Sequence, residues 1–486
     1  MNQIYLLLPL ILLLSCIIIN LINKQETINF YLNYVATLSI FIIYCWMFSS
    51  LDNTLYGSQY SISIENFPKI FGEVVLCIDG LSSFFLLLTA FLFPLCLLYN
   101  YKKVSKNNQY SVLLLLVELL LIICFTASSF FIFYIAFEII LFPMFFIIGF
   151  WGSRGRRIHA VYLFFFYTML GSFVLLFCLF IIYQTYGTLE FNHFFNKNSL
   201  SKIEQQILAI LIFIGFSIKI PMYPLHLWLP EAHVEAPTVG SVILAGILLK
   251  LGGYGMLRVL LPVCNDVIET QKGFFMGIAL LSIILGSIAA ARQIDLKKMI
   301  AYSSVVHMNV GILGLFAEHN TGIIAFIFLM ISHGLIASGL FFGVGMVYDR
   351  LHTKNLLYLG GLSRLMPKFS VLFFLLVLAN MSIPGTSNFV GEICVFFSLI
   401  HEKVWLLAIV AIASSFGTTL FCVILIIKTI YSYLYKGLSP IYDLNDHELF
   451  ILGILVFLII ILGLCPFFIV DPLINYGQFY IANNLI

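Results

Sequence analysis

Charged side chains are scarce in this sequence. Asp, Glu, Lys and Arg make up 9% of its 486 residues, against roughly 25% in soluble domains. Hydrophobic residues make up 62%, and the mean hydropathy is +1.08. This deficit of charge excludes a water-soluble globular domain and favours one large membrane domain. A net charge of +2 also gives no reason to expect nucleic acid as a partner.

Cysteine patterns that bind metals are absent as well. The ten cysteines mostly lie inside apolar runs, and none forms a C-x-x-C pair or a cluster with metal-ligand spacing. We interpret them as small hydrophobic residues, which excludes iron–sulfur ligation by this chain.

No basic segment or presequence precedes the first apolar run, residues 4–19. This absence predicts a protein that is inserted where it is made, in a bacterium or from an organellar genome. The 49 Phe, with abundant Ile and Asn, are typical of AT-rich coding. We therefore expect the mitochondrial inner membrane, with the bacterial plasma membrane as the alternative.

Apolar runs follow one another along the whole chain. A helix needs roughly 20 apolar residues to cross the hydrocarbon core, and this length predicts an all-α polytopic protein with about 14 transmembrane helices in a single domain, residues 1–486. The predicted spans lie near residues 3–22, 30–50, 80–99, 111–127, 129–150, 159–186, 206–229, 238–262, 273–291, 298–316, 320–346, 370–400, 404–434 and 448–470.

The loop charges support this count. Fifteen Lys and Arg lie in loops that follow odd-numbered spans, and five lie in loops that follow even-numbered spans. By the positive-inside rule, the odd loops face the matrix or cytoplasm and both termini face the opposite side. Arg258 and Lys428 lie near span ends, where their side chains can reach the interface.

Seven ionisable residues lie inside the apolar runs. They are Glu118, Glu138, Lys219, Lys250, His307, His333 and Glu392. Each costs roughly 2.5–3.5 kcal/mol at mid-bilayer on insertion scales, so we expect them to face one another or a water-filled interior. Histidine titrates near neutral pH, which suits proton transfer. The set predicts a proton relay; the alternative is static ion pairs, such as Lys219 with Glu138, that fix helix packing.

Prolines break two of the spans beside these charges. Lys219 precedes Pro221 and Pro224 in span 7, and Glu392 follows Pro384-Gly385 in span 12. Ionisable residues of the predicted spans also recur at separations of 169, 173 and 178 residues. The three pairs are Glu138 and His307, Lys219 and Glu392, and Lys250 and Lys428. We therefore predict two inverted five-helix repeats, spans 4–8 (residues 111–262) and spans 9–13 (residues 273–434).

The densest polar segment lies between Pro224 and Thr238. Its His226, Glu231, His233 and Glu235 match no standard metal site, so we predict no metal and a structured loop that closes span 7. Facing histidine pairs for haem are not evident either.

Five sequence motifs carry a family resemblance. Residues 217–250 read SIKIPMYPLHLWLPEAHVEAPTVGSVILAGILLK, and the shorter motifs are FE at 137–138 with GFWG at 149–152, AYSSVVH at 301–307, SHGL at 332–335 and NFVGE at 388–392. Over residues 75–435 the chain resembles the antiporter-like subunits of respiratory complex I, the proton-pumping NADH:ubiquinone oxidoreductase. Glutamate rather than lysine at position 392 points to the subunit 4 branch of that family.

The resemblance implies roles for particular residues. Glu138 and Lys219 match a coupled pair, Lys250 a connecting lysine, His307 and His333 a central relay, and Glu392 its terminal residue, while Glu118 matches an acid found in some members. It also implies that NADH, FMN, iron–sulfur clusters and ubiquinone bind to partner subunits, so that this chain carries no cofactor. The expected partners are other membrane subunits of the complex, including neighbouring antiporter-like subunits, and membrane lipids.

Two other functions stay open at this point. A cation/proton antiporter subunit shares the helical core, and a structural subunit would use the buried charges only during assembly. A solute permease is less consistent with the sequence, since no substrate-shaped polar pocket is evident.

Overall fold

The computed structural model describes residues 2–52, 57–64, 74–101, 103, 107–153, 155–195, 200–317, 319–401, 405–433 and 442–474. Up to residue 263 the helices are α1 (Asn2–Ile22), α2 (Glu26–Ser50), α3 (Gly80–Asn100), α4 (Asn107–Thr126), α5 (Phe130–Ile139), α6 (Leu141–Trp151), α7 (Arg157–Tyr186), α8 (Lys202–Lys219), α9 (Trp228–Glu235), α10 (Thr238–Ile243), α11 (Leu249–Gly255) and α12 (Leu261–Val263). The later helices are α13 (Asn265–Ala291), α14 (Leu296–Leu315), α15 (Asn320–Leu351), α16 (Leu362–Leu365), α17 (Pro367–Asn380), α18 (Ser387–His401), α19 (Trp405–Ile426) and α20 (Asp446–Leu464).

All fourteen predicted spans overlap helical residues. In the described part of the chain, ten helical segments are long and apolar enough to cross a membrane, and Pro367–Asn380, Ser387–His401 and Phe416–Tyr431 are shorter apolar helices. The polytopic α-helical fold is confirmed. The count of fourteen and the relation between the two repeats stay predictions.

Both predicted helix breaks are present. α8 ends at Lys219 and α9 begins at Trp228, while α17 ends at Asn380 and α18 begins at Ser387. Proline has no N–H for the helical ladder and its ring clashes with the preceding turn, so Pro221, Pro224 and Pro384 favour an interruption, although α3 continues through Pro94. The polar segment 224–238 was predicted as a loop, and this is wrong in part because residues 228–235 form α9.

Two features were not predicted. An antiparallel hairpin, β1 (Tyr60–Ile64) and β2 (Val74–Ile78), follows α2, and its register pairs Tyr60 with Ile78. Three π-helical segments also interrupt the α-helical ladder: Leu244–Leu248 and Met256–Leu260 around α11, and Ile427–Tyr431 after α19. Hydropathy alone cannot show a π segment, because the difference lies in the backbone hydrogen bonds.

Two helical segments form the centre of the fold. In both Thr238–Val263 and α15, 94% of the apolar stretch is buried, against 33% in α1, α2 and α20. α15 packs against α10, α14, α17, α18 and α20. The helices that carry Lys250 and His333 are therefore the most enclosed of the apolar spans.

Candidate functional site

The break after α8 is held by hydrogen bonds to its freed carbonyls. Trp228 Nε1 donates to the Ile218 carbonyl at 2.9 Å, and Asn309 Nδ2 donates to the Pro221 carbonyl at 3.3 Å. The Tyr223 N–H donates to Ser282 Oγ at 2.8 Å. An unpaired backbone group costs several kcal/mol in a membrane, so these contacts stabilise the interruption that ends α8 at Lys219.

Lys219 and Glu138 do not form a contact ion pair. Lys219 is buried, and its Nζ lies 4.5 Å from the centroid of the Phe137 ring. Glu138 is half-buried and accepts a hydrogen bond from Tyr134 Oη at 3.3 Å. None of the ion pairs shorter than 4.0 Å in the described residues joins the two. The missing contact does not fit a static ion pair, whereas Lys219 and Glu138 lie within electrostatic range of each other.

Lys250 follows the first π-helical segment and is fully buried. Its Nζ donates to the Ala245 carbonyl, within that segment, at 2.6 Å. The same Nζ lies 2.9 Å from His333 Nδ1 on α15. Lys250 is thus held between a fixed acceptor and a titratable one.

Gly334 lets the two helices approach closely enough for this contact. A Cβ at Gly334 would lie 2.9 Å from Leu88 Cδ2, 3.0 Å from the Gly246 carbonyl oxygen and 3.4 Å from Lys250 Cε. Any larger side chain would therefore separate α15 from the helix that carries Lys250.

His307 and Glu392 extend the row from His333. His307 Nδ1 lies 2.8 Å from Glu392 Oε1, and both residues are buried. The rings of His307 and His333 have centroids 5.7 Å apart. The Nε2 atoms of both histidines are buried without a hydrogen-bond partner. Lys250, His333, His307 and Glu392 therefore form a buried row with one gap, between the two imidazoles.

Polar neighbours to which the sequence assigned no individual role hold this row in place. Ser332 Oγ donates to Asn388 Oδ1 at 2.8 Å, which ties α15 to α18 one turn before Glu392. Asn309, two residues after His307, is fully buried and links α14 to the break after Lys219. Asn309 and Asn388 both lie inside apolar runs, and a polar residue in such a run is the signal that could have identified them from the sequence.

A polar cavity of about 250 Å³ lies at the end of the molecule where the odd-numbered loops begin. Lys297, Lys354, Tyr99, Asp349 and Trp151 are among its lining residues. Both lysines belong to the loop charges counted in the sequence, yet they are buried, with 1% and 0% of their surfaces exposed. Basic loops in a sequence do not show which side chains fold inwards.

The two buried lysines bind the segment around α9. Lys297 Nζ donates to the Ala236 carbonyl at 2.8 Å, and Lys354 Nζ donates to the Val234 carbonyl at 2.7 Å. His233 is fully buried, stacks on Phe341 with centroids 4.4 Å apart, and lies within electrostatic range of both Lys297 and Lys250.

Arg258 has its partner at the end of its span. It forms an ion pair with Asp79, immediately before α3, and Arg258 Nε donates to Tyr254 Oη at 3.1 Å. Burial by itself would raise the pKa of the Asp79 carboxyl, but Arg258 and the donors of Ser82 hold that pKa below its ordinary value. Lys428, by contrast, is exposed at the end of its span.

Glu118 lies apart from the row. It is fully buried on α4, and neither carboxylate oxygen has a hydrogen-bond partner. The structure brings together Lys250, His333, His307 and Glu392, leaves Lys219 and Glu138 as a separated pair, and isolates Glu118.

With this geometry in place, residues 127–418 match the family described as NADH:quinone oxidoreductase/Mrp antiporter, TM. This segment covers more than half of the chain and contains every residue of the row. The chain belongs to that family. The resemblance carried by residues 217–250 and the four shorter motifs is thus confirmed.

Curated relatives are similar over almost the whole length. The chain is 41% identical over 451 residues to NADH-ubiquinone oxidoreductase chain 4 of Acanthamoeba castellanii, covering 90% of each. It is 39% identical to chain 4 of Arabidopsis thaliana, covering 96% of each. It is 38% identical to NADH-quinone oxidoreductase subunit M of Rickettsia conorii, covering 99% of this chain and 97% of that one.

Solved structures share the fold across the family. A chain of respiratory complex I from Thermus thermophilus with bound NADH has a TM-score of 0.89 at 24% identity, with 100% of each chain covered. A chain of the Mrp complex from Dietzia sp. DQ12-45-1b has a TM-score of 0.88 at 17% identity, covering 100% of this chain and 99% of that one. At these identities the likeness shows the fold alone.

Proposed function

We propose that this chain is a proton-translocating membrane subunit of NADH:ubiquinone oxidoreductase. The observation that carries the proposal is the buried row of Lys250, His333, His307 and Glu392, with contacts of 2.9 and 2.8 Å on either side of one 5.7 Å step between rings. Titratable groups are costly inside a membrane and occur there chiefly in proton and ion pathways. The names of the curated relatives support the assignment to this enzyme.

Proton transfer along the row follows from the donor and acceptor atoms. The Lys250 ammonium can pass a proton to Nδ1 of a neutral His333, which then releases one from Nε2. One water molecule between the imidazoles would carry it to His307, because polar contacts beyond 3.5 Å are commonly bridged in this way. His307 Nδ1 then delivers a proton to the Glu392 carboxylate at 2.8 Å.

Proton uptake is proposed from the side that carries the basic loops. The cavity lined by Lys297 and Lys354 is on that side, and His233 lies within electrostatic range of both Lys297 and Lys250. Lys219 or Lys250 accepts the incoming proton. Glu138 controls loading of Lys219 through its charge, since the two interact without contact.

Redox chemistry belongs to the partner subunits in this proposal. NADH, FMN, iron–sulfur clusters and ubiquinone would bind there, and this chain would contribute vectorial proton movement alone. Its partners are other membrane subunits of the complex, including neighbouring antiporter-like subunits, and lipids. We place it in the mitochondrial inner membrane, with basic loops towards the matrix and both termini towards the intermembrane space. The Rickettsia relative keeps the bacterial plasma membrane as the alternative.

Replacement of Glu392 by Gln tests the proposal. Glutamine preserves the shape but cannot accept a proton from His307, so NADH-driven acidification of inside-out vesicles should fall strongly while the complex still assembles. Glu269→Gln is the matched control, because Glu269 is exposed on α13. Undiminished acidification in the Glu392→Gln complex contradicts the proposal.

A cation/proton antiporter subunit is the second candidate, because the matching family includes Mrp antiporters and the Dietzia Mrp structure shares the fold. The discriminating measurement is cation-driven proton movement in vesicles without NADH. Sodium-dependent exchange without NADH oxidation favours the antiporter, and NADH-dependent acidification that is insensitive to sodium favours the oxidoreductase.

A further inference from the structure

Glu118 is the buried acid that the proposed relay does not use. It lies at the middle of α4, the twelfth of its twenty residues. No part of it is exposed, and both carboxylate oxygens are buried without a hydrogen-bond partner. None of the ion pairs in the described residues includes it. Glu118 also lies outside the segment that matches the family, which covers residues 127–418.

The groups around Glu118 offer no compensating positive charge. Its electrostatic neighbours on the packed helices are Cys16 of α1, Tyr44 of α2 and Cys96 of α3. The Tyr44 hydroxyl is also buried without a partner. An isolated carboxylate in such surroundings is far more costly than the uncharged acid. The packing therefore favours a Glu118 that carries its proton.

Polar side chains connect this region to the surface. A groove of about 630 Å³ opens at the end where α1 finishes and α4 begins, and Asn20, Asn23 and Asn108 contribute to its lining. Asn20 and Asn33 exchange two amide hydrogen bonds of 2.8 and 3.2 Å between α1 and α2. Asn20 also donates to the carbonyl of Cys16, one turn deeper and a neighbour of Glu118.

The amide pair alone could serve only to join α1 to α2, as asparagines do between membrane helices. Because the amide pair lies between a polar groove and an unpartnered acid, it can also form part of a route for protons. Buried polar groups almost always have a partner, protein or water, and both Glu118 and Tyr44 have free hydrogen-bonding capacity in one region. A water molecule is the smallest ligand that satisfies both.

We propose that Glu118 is a separate exchangeable proton site, which holds its proton beside a water molecule bound with Tyr44 and exchanges it with the groove past the Asn20–Asn33 pair. The site belongs to the bundle of α1–α4 and shares no contact with Lys250, His333, His307 or Glu392. It does not rest on the proposed function, because a protonated Glu118 is compatible with any role of the central row.

Infrared difference spectroscopy of the assembled membrane complex tests the protonation. The carbonyl stretch of an uncharged carboxyl is distinct from the bands of a carboxylate, so the spectrum of the native complex minus that of Glu118→Gln should contain one such band at neutral pH. In Glu118→Asp the band should shift rather than vanish, which guards against misfolding of a single variant. A difference spectrum with carboxylate bands alone overturns the proposal.

Exchange into D₂O tests the route. The Glu118 band should shift in the native complex and shift more slowly in Asn20→Leu, which removes the amide between groove and acid. Asn380→Leu is the matched control: Asn380 is equally buried in a span but lies on α17. A band that never shifts in the native complex excludes an exchangeable site, and equal rates in all three proteins exclude the Asn20 route.

Discussion

The two predicted repeats hold their buried charges differently. In the second repeat His307 contacts Glu392 at 2.8 Å, and His333 contacts Lys250 of the first repeat at 2.9 Å. In the first repeat Lys219 lies over the Phe137 ring and Glu138 accepts from Tyr134, with no contact between the two charges. Groups in contact can transfer a proton, whereas separated groups act on each other only through the field.

This difference gives the two repeats different roles in the proposed function. In that proposal the first repeat controls when Lys219 is loaded, and the row from Lys250 to Glu392 conducts protons. Coulomb energy falls only as the inverse of distance, whereas a hydrogen bond is lost within a fraction of an ångström. Substitutions that move a charge slightly should therefore be tolerated in the first repeat and not in the second.

Replacement of Lys219 by Ala should have the largest effect of the four changes that follow, because it removes a group that is proposed to accept the incoming proton. Positioned acid–base groups typically contribute roughly 10²- to 10⁴-fold to rate, so proton translocation should fall about 100-fold or more while the complex still assembles. Acidification of inside-out vesicles, normalised to assembled complex, measures it. Lys428→Ala is the control, because Lys428 is exposed. Equal losses in both variants would refute a special role for Lys219.

Shortening each carboxylate by one methylene sharpens the comparison. Glu392→Asp should break the 2.8 Å contact with His307, and losing a charged hydrogen bond of about 1.5–3 kcal/mol corresponds to roughly a ten- to hundredfold loss. Glu138→Asp keeps the charge near Lys219 and should lower the rate no more than about threefold. Proton translocation in matched vesicles measures both. If Glu138→Asp is the more damaging, the division between field and contact is wrong.

Substitution of Gly334 by Ala should separate the helices that carry Lys250 and His333. The new Cβ would meet Leu88 at 2.9 Å and the Gly246 carbonyl at 3.0 Å, and overpacking of this kind costs about 1–3 kcal/mol. Thermal unfolding of the purified complex and its proton translocation should both decline. Gly277→Ala is the control, since its Cβ would meet nothing within 4 Å. A native rate in Gly334→Ala would show that close approach is unnecessary.

The smallest effect is expected outside the membrane, at Asp79. Its pKa is held below the ordinary value by Arg258 and Ser82 despite burial, so its stabilising contribution is present above pH about 3.9 and is lost as the pH falls through the folded value. Asp79→Asn should remove that part of the acid dependence. The melting temperature of the purified complex between about pH 5 and 3 measures it, with exposed Asp266→Asn as control. If the melting temperature depends on pH in the same way in the native protein and in Asp79→Asn, the pairing of Asp79 with Arg258 and Ser82 is contradicted.

Much of the fold was predictable because a membrane imposes a length and a polarity on each helix. The breaks beside Lys219 and before Glu392 were predicted from Pro221, Pro224 and Pro384, because each proline removes a helical hydrogen bond and favours an interruption. Intramembrane position alone identified Lys250, His307, His333 and Glu392 as candidates. The structure brings these four together, while their roles in proton transfer stay predictions.

Other parts depend on packing that a single sequence does not display. Lys297 and Lys354 have the sequence context of exposed loop lysines, and only folding directs them to carbonyls around α9. The ion pair between Arg258 and Asp79 joins residues that are 179 positions apart in the sequence. The π-helical turn before Lys250 changes hydrogen-bond register without changing hydropathy. In each case tertiary packing selects one arrangement among several that the local sequence allows equally well.

The central claim is that His333 passes protons between Lys250 and His307. The most direct test is proton translocation per assembled complex in proteoliposomes that contain the His333→Gln variant. Glutamine can still form hydrogen bonds, but it has no imidazole ring through which a proton can pass. The account predicts that translocation falls to near background while assembly is retained. Translocation at the native rate in that variant would contradict it.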